Sequence, residues 1–194
     1  SNDHDEITFA TFSMTQLYSQ CRWNIDPKVL FLLSTRAAEL GNQMAQYDLA
    51  AMYVEGLGTN KDYNLALKWA LKSAEQHHIQ GQYLLATLYG NGLVGKSRNF
   101  IEGYKWAYIA VRNNSYSIRS FYSTQVNRWS DIFKRISGVP FPNINDLAQS
   151  QLQQHLDFAI SIENSMRKSL SEDQIKRGQY EGFNWLKERN LLNK

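Results

Sequence analysis

Two stretches of this chain repeat one pattern at a fixed offset, and that periodicity limits the fold more than any single residue does. Residues 45–79 read AQYDLAAMYVEGLGTNKDYNLALKWALKSAEQHHI, and residues 81–111 read GQYLLATLYGNGLVGKSRNFIEGYKWAYIAV. Gln46 matches Gln82, Tyr47 matches Tyr83, Leu49 matches Leu85, Ala50 matches Ala86, Tyr53 matches Tyr89 and Gly56 matches Gly92, all 36 apart. After one inserted residue, Trp69 matches Trp106 at 37. A period of this size is that of stacked helix–turn–helix units. Such a unit leaves an apolar face open by itself, so neighbours stack to bury it.

The helices can be placed from local signals. In the first repeat, Ala45, Leu49, Ala50 and Tyr53 share one face of a helix over about 43–54. Gly56 and Gly58 then release the chain into a tight turn. A second helix starts near Asp62 and carries Leu65, Ala66, Trp69, Ala70 and Ala74 inward. The second repeat places its helices at about 80–90 and 99–112. Upstream, Asp26-Pro27 is an N-cap followed by a first-turn proline, and Gly41 closes that helix. Leu32 lies 37 before Trp69, which makes 27–41 the second helix of an earlier unit, with 7–23 as its diverged first helix. Downstream, helices are predicted over 117–136 and 146–169, separated by the proline-containing loop 137–145. Ser171 and Gln174 form a capping-box pattern that opens a last helix to about 190. The predicted organisation is N-terminal helices in 1–42, two repeats in 43–112 and a helical extension in 113–194 that caps the array.

The residues of the repeats resemble the Sel1-like repeat family. Ala45, Leu49, Ala50 (where the family favours Gly), Tyr53, Gly56, Gly58, Asp62, Ala66, Trp69 and Ala74 follow its pattern, as do Gly81, Leu85, Ala86, Tyr89, Gly92, Gly103, Trp106 and Ala110. Val94 replaces the second turn glycine of the second unit, with Gly95 one place later. The end of the chain, LSEDQIKRGQYEGFNWL (170–186), is similar to the closing helix of many bacterial members. The resemblance implies an all-α, right-handed α-α superhelix similar to tetratricopeptide repeats, with a helical C-terminal extension. It also implies protein–protein interaction and scaffolding.

Composition removes several function classes. Basic and acidic side chains balance at ten each in 1–112 and stand at eleven against eight in 113–194, too thin a surplus for a nucleic-acid footprint. The lone Cys21 excludes an internal disulfide and a cysteine-based zinc site. Adjacent His77 and His78 point about 100° apart on a helix and do not share a metal from one face. No apolar run reaches membrane-spanning length. Neither a cofactor nor a metal is expected. The chain opens on Ser1 without a Met, as a processed or expressed fragment does. A removed signal peptide would place it in the periplasm or outside the cell, and otherwise it belongs to the cytoplasm.

Three motifs compete with a binding role. Gly90-Asn-Gly-Leu-Val-Gly-Lys-Ser97 fits the phosphate-binding string G-x-x-x-x-G-K-[ST], whose chemistry needs a strand before it and a helix after it. The preceding QYLLATLY has helical spacing, so these glycines fall in a helix–helix turn, with Lys96 expected exposed and bound to no phosphate. Ser165-Met-Arg-Lys168 matches S-x-x-K but lacks the companion motifs of a β-lactam site. Asn113-Asn-Ser115 is a glycosylation sequon that matters only in a eukaryotic secretory context.

The sequence therefore predicts a non-catalytic module that binds a protein or peptide. Alternatives are a nucleotide binder or enzyme acting through Gly90–Ser97, or a bacterial envelope or secreted module acting on host or cell-wall enzymes. In arrays of this kind the first helices line the concave surface. Asp48, Met52 and Glu55, with their counterparts Leu84, Leu88 and Asn91, are predicted to contact the partner from the side opposite Ala45, Leu49 and Tyr53.

Overall fold

The structure, a computed structural model, describes residues 26–95, 98–113 and 144–189, with side chains in the last stretch at 154 and from 157 onward. Among the described residues the regular structure is helical and no strand occurs. The helices are α1 (Pro27–Glu39), α2 (Gln43–Glu55), α3 (Tyr63–Glu75), α4 (Ile79–Gly90), α5 (100–113), α6 (Ile144–Arg167) and α7 (Glu172–Glu188). Each helix of the repeats falls within two residues of its predicted bounds. The helix predicted over 117–136 and the segment 7–23 lie outside the described residues, as does most of the loop 137–145. Contacts group the chain into two compact units, Ser1–Gly103 and Tyr104–Lys194.

Short polar side chains start most of these helices. The Asp26 carboxylate accepts from the Lys28 amide at 2.9 Å, and Asn42 accepts from the Ala45 amide at 2.8 Å. Asp62 accepts from the amides of Asn64 and Leu65, both at 2.9 Å. Ser171 and Gln174 close the reciprocal capping box of α7. These bonds satisfy donors that a helix leaves unpaired in its first turn.

In the first unit, α2 and α3 run antiparallel. The Ser73 hydroxyl at the end of α3 donates to the Gln43 carbonyl at the start of α2 at 2.7 Å. At the other end the Asp62 amide donates to the Tyr53 carbonyl at 3.0 Å. The turn between them is closed by Gly56 and Gly58, at φ 74° and 70°. A Cβ on Gly58 would fall on the Pro27 carbonyl, so the turn packs directly on the start of α1. Ala37, Ala38, Ala45 and Leu49 form the core between α1 and α2, with Phe31, Tyr53 and Trp69 packed against it. Alanines bring the helices close, and aromatic rings fill the remaining space.

Two glutamines join successive units. Buried Gln46 donates its amide to the Ala38 carbonyl at 3.1 Å, and buried Gln82 donates to the Ala74 carbonyl at 3.4 Å. Donor and acceptor both recur at 36 residues. Each bond reaches from the first turn of one repeat to the last turn of the helix before it.

The register differs from expectation at two places. Trp106 is buried, whereas its counterpart Trp69 is half-buried. The reason is cover. Trp185 of α7 stacks edge-on against Trp106 at 5.6 Å, while Trp69 has the Lys72 ammonium 4.3 Å over its ring. The second place is His77, which sits at φ 67° where the preceding repeat has Gly41 at φ 93°. Gly41 meets no Cβ penalty in the left-handed region, and His77 does.

The string Gly90–Ser97 follows a helix, because α4 continues through Gly90. Gly92 and Gly95, at φ 68° and 85°, then turn the chain toward α5. The strand that a phosphate-binding loop requires is replaced by α4. Lys96 and Ser97 lie outside the described residues.

In the second unit, a polar network ties α5, α6 and α7. The buried Tyr104 hydroxyl donates to Glu163 at 3.4 Å and accepts from Gln179 at 3.1 Å. Arg112 lies 3.6 Å from the same Glu163 carboxylate. Gly182 makes room for Tyr108, whose ring a Cβ there would meet at 2.8 Å. Met166 and Leu186 are buried, and Ile160 and Phe183 are exposed. Both belong to the outward side of their helices, whose inward side is taken by the adjacent Ala159 and Gly182. Asn113 is buried, which removes it as a glycosylation acceptor in the folded chain.

Three outcomes are expected of stability measurements. Gln82→Leu removes this bond while the Ala74 carbonyl keeps the His77 amide, and should cost about 0.5–1.5 kcal/mol in a denaturant titration. His77→Gly relieves the left-handed strain and should raise stability by up to about 1 kcal/mol. Trp106→Ala should cost about 3–5 kcal/mol, and Trp69→Ala distinctly less, in parallel thermal melts.

Candidate partner-binding face

The side of α2 that is turned from the core follows from its buried arc. Ala45, Gln46, Leu49, Ala50 and Met52 are buried. At 100° per residue the opposite side carries Tyr47, Asp48, Ala51 and Glu55. In α4 the buried set is Ile79, Gly81, Gln82, Leu85, Ala86, Leu88 and Gly90. The corresponding outer residues are Tyr83, Leu84, Thr87 and Asn91. Both helices run in the same direction, because each packs antiparallel to α3. Gly81 near the start of α4 lies against Ser73 and Ala74 at the end of α3. The two outer sides therefore stand side by side and in step.

Of the six residues predicted to contact a partner, four lie on these outer sides. Asp48 and Leu84 are half-buried, and Glu55 and Asn91 are exposed. Met52 and Leu88 do not face outward; they are 4% and 0% exposed. Met52 follows Ala45 by seven residues and Leu49 by three, which places it on their side of the helix. Leu88 stands in the same relation to Gly81 and Leu85. The carbonyls of Met52 and Leu88 also accept the amides of Leu57 and Leu93, each at 3.0 Å, in the closing turns of α2 and α4.

Tyr47 and Tyr83 complete the face. Their hydroxyls meet at 3.1 Å and their rings cross edge-on at 6.1 Å. The His78 ring lies 5.6 Å from Tyr47, and its Nδ1 is 3.0 Å from the Ser73 hydroxyl. Their position directly before Asp48 and Leu84, and directly after the buried Gln46 and Gln82, is the sequence signal for the outer side.

The phenols of this pair hold their protons above the ordinary value of 10.0. Burial is the first cause for both. The hydrogen bond between them lowers Tyr47 and raises Tyr83, and the Asp48 carboxylate raises both. Glu55 adds to the rise at Tyr47. The face is thus aromatic, hydrogen-bonding and negatively charged.

Among the described residues, no group of three or more His, Cys, Asp or Glu side chains is placed to hold a metal ion. No described helix is long and apolar enough to cross a membrane. Ser165 near the end of α6 and Lys168 just past it are exposed and line an open hollow with Asp157, Ile160, Ser161 and Asn164.

Comparison with known proteins agrees with the repeat architecture. Residues 43–78 and 79–115 each match the Sel1 repeat. Over 125 residues the chain is 27% identical to chitin synthase regulatory factor 3 of Schizosaccharomyces pombe, covering 63% of this chain and 13% of that protein. Over 45 residues it is 47% identical to the putative sel1-like repeat-containing protein L18 of Acanthamoeba polyphaga mimivirus, covering 23% of this chain and 8% of that one. The chain therefore spans about one-tenth of the curated relatives it matches. A protective antigen of uropathogenic Escherichia coli, whose crystal structure displays an SLR fold, superposes with a TM-score of 0.67 at 19% identity. That match covers 95% of this chain and 31% of the antigen, and it shows a shared fold.

The raised phenol values set a pH dependence. A proton held more tightly in the folded state than in the unfolded state stabilises fully below the unfolded value and fades as pH rises past it. Stability is expected to fall above about pH 10. Replacing both tyrosines with Phe should make that fall shallower, the remainder coming from Tyr53, Tyr89 and Tyr104, whose phenols burial also raises, as measured by denaturation at a series of alkaline pH values.

Proposed function

The chain is a Sel1-like repeat protein, and on that premise we propose that it is a non-catalytic scaffold that holds a protein or peptide segment on the α2–α4 face. Sel1 repeats build helical interaction modules, and the carrying observation here is the Tyr47–Tyr83 contact. It joins two helices one repeat apart and sets Asp48, Glu55, Leu84 and Asn91 in a continuous strip. A strip shared by two helices offers more contact than either helix alone, and its rigid aromatic rings lose little freedom on binding. The Schizosaccharomyces pombe relative is a regulatory factor by name, a role that a binding module can perform.

The test compares faces. Charge reversal at Asp48 and Glu55, with Leu84→Glu, should weaken binding of a captured partner by tenfold or more, on the order expected for central interface positions. Reversal at Lys68 and Lys72 on α3 should leave it within about twofold, as for residues outside an interface. Titration calorimetry reads both. Equal losses in the two sets would contradict the assignment of this face.

A further inference from the structure

Charge is segregated between the helices of the first unit. The first helices, α2 and α4, carry Asp48 and Glu55 and no Lys or Arg. The second helices, α1 and α3, carry Lys28, Arg36, Lys68 and Lys72 against Glu39 and Glu75. The first helices are therefore net acidic and the second helices net basic, although the whole chain is nearly balanced.

The backbone adds to this field. Parallel α2 and α4 end at the same edge, where Glu55 and Asn91 stand. Helix C-termini carry partial negative charge from their carbonyls, and this attracts cations within the last turn. The field reaches the aromatic pair: burial raises both phenols most, Asp48 adds to both, and Glu55 adds at Tyr47. Beside the carboxylates lie surfaces suited to aliphatic stems, namely the Tyr47 and Tyr83 rings, Ala51 and half-buried Leu84. An aromatic face attracts a cation as well.

We propose that the segment held on the α2–α4 face is cationic, a peptide stretch presenting Lys or Arg beside apolar side chains. This rests on the reading that the face is the docking surface. The long stem of a Lys or Arg lies on tyrosine and leucine, and its charged head reaches a carboxylate. An acidic segment meets like charge from Asp48 and Glu55 and is disfavoured, while Lys61 and Arg98 pack at the closing turns of α2 and α4.

The experiment uses the full chain and a displayed library of random peptides. Enriched peptides are expected to share a Lys or Arg at a fixed position flanked by apolar residues. A synthetic copy should lose about tenfold in affinity for the Asp48→Asn, Glu55→Gln chain, and should weaken as salt rises. Circular dichroism confirms that the variant keeps its helices. Enriched peptides that are acidic or uncharged, yet weaken with Leu84→Glu, would overturn the cationic chemistry and leave the docking face standing. A library that yields no peptide responsive to any α2 or α4 substitution would overturn the docking face itself.

Discussion

The placement of each repeat on the one before it depends on a buried amide. The last carbonyls of a helix have no partner within it, and burying them unpaired costs free energy. At Ala38 and Ala74 the amides of Gly41 and His77 meet part of that need within the closing turns, and Gln46 and Gln82 add a second bond from the first turn of the following repeat. Gln76 extends the first of these junctions, donating to the Gly41 carbonyl at 2.9 Å and to the Gln46 side-chain oxygen at 2.7 Å. A buried hydrogen bond is directional, whereas alanine packing tolerates sliding. The glutamine thus fixes the rotation of the next first helix about its axis. The residue that follows it, Tyr47 or Tyr83, is turned outward by that rotation, and the two hydroxyls meet.

Much of this was legible in the sequence. The period placed the helices, and Asp26, Asp62 and Ser171 marked their starts by short-range chemistry alone. The match of Gln46 with Gln82 was visible, but its role was not, because the acceptors lie eight residues back on another helix. The outer face was partly misread for a different reason. Met52 and Leu88 are apolar and close in angle to Leu49 and Leu85, and a strip drawn by spacing of three and four from Asp48 and Leu84 took them in. Counting the angle from Ala45 and Gly81 assigns them to the core. Trp69 and Trp106 share a repeat position yet differ in burial, since Trp185, about eighty residues downstream of Trp106, supplies the cover.

The second unit is held by another kind of constraint. Glu163 gathers Tyr104 and Arg112, while Gln179 reaches Tyr104 from α7. Such a network is satisfied only in one mutual placement of three helices, so it specifies geometry as well as adding stability. Repeat periodicity carries no information about it, and each partner is an ordinary polar residue in the sequence. What the two units share is a device: apolar and small residues bring helices together, and a few buried polar side chains decide their register.

The most direct test of this register is the contact between Tyr47 and Tyr83. With tyrosine rings selectively labelled, nuclear Overhauser spectra should show cross-peaks between the ring protons of these two residues, as their 6.1 Å ring separation requires. Assignment follows from the single Phe substitutions. A spectrum with both rings assigned and no cross-peak between them would contradict the stacking of α2 beside α4, and with it the shared face on which the function rests.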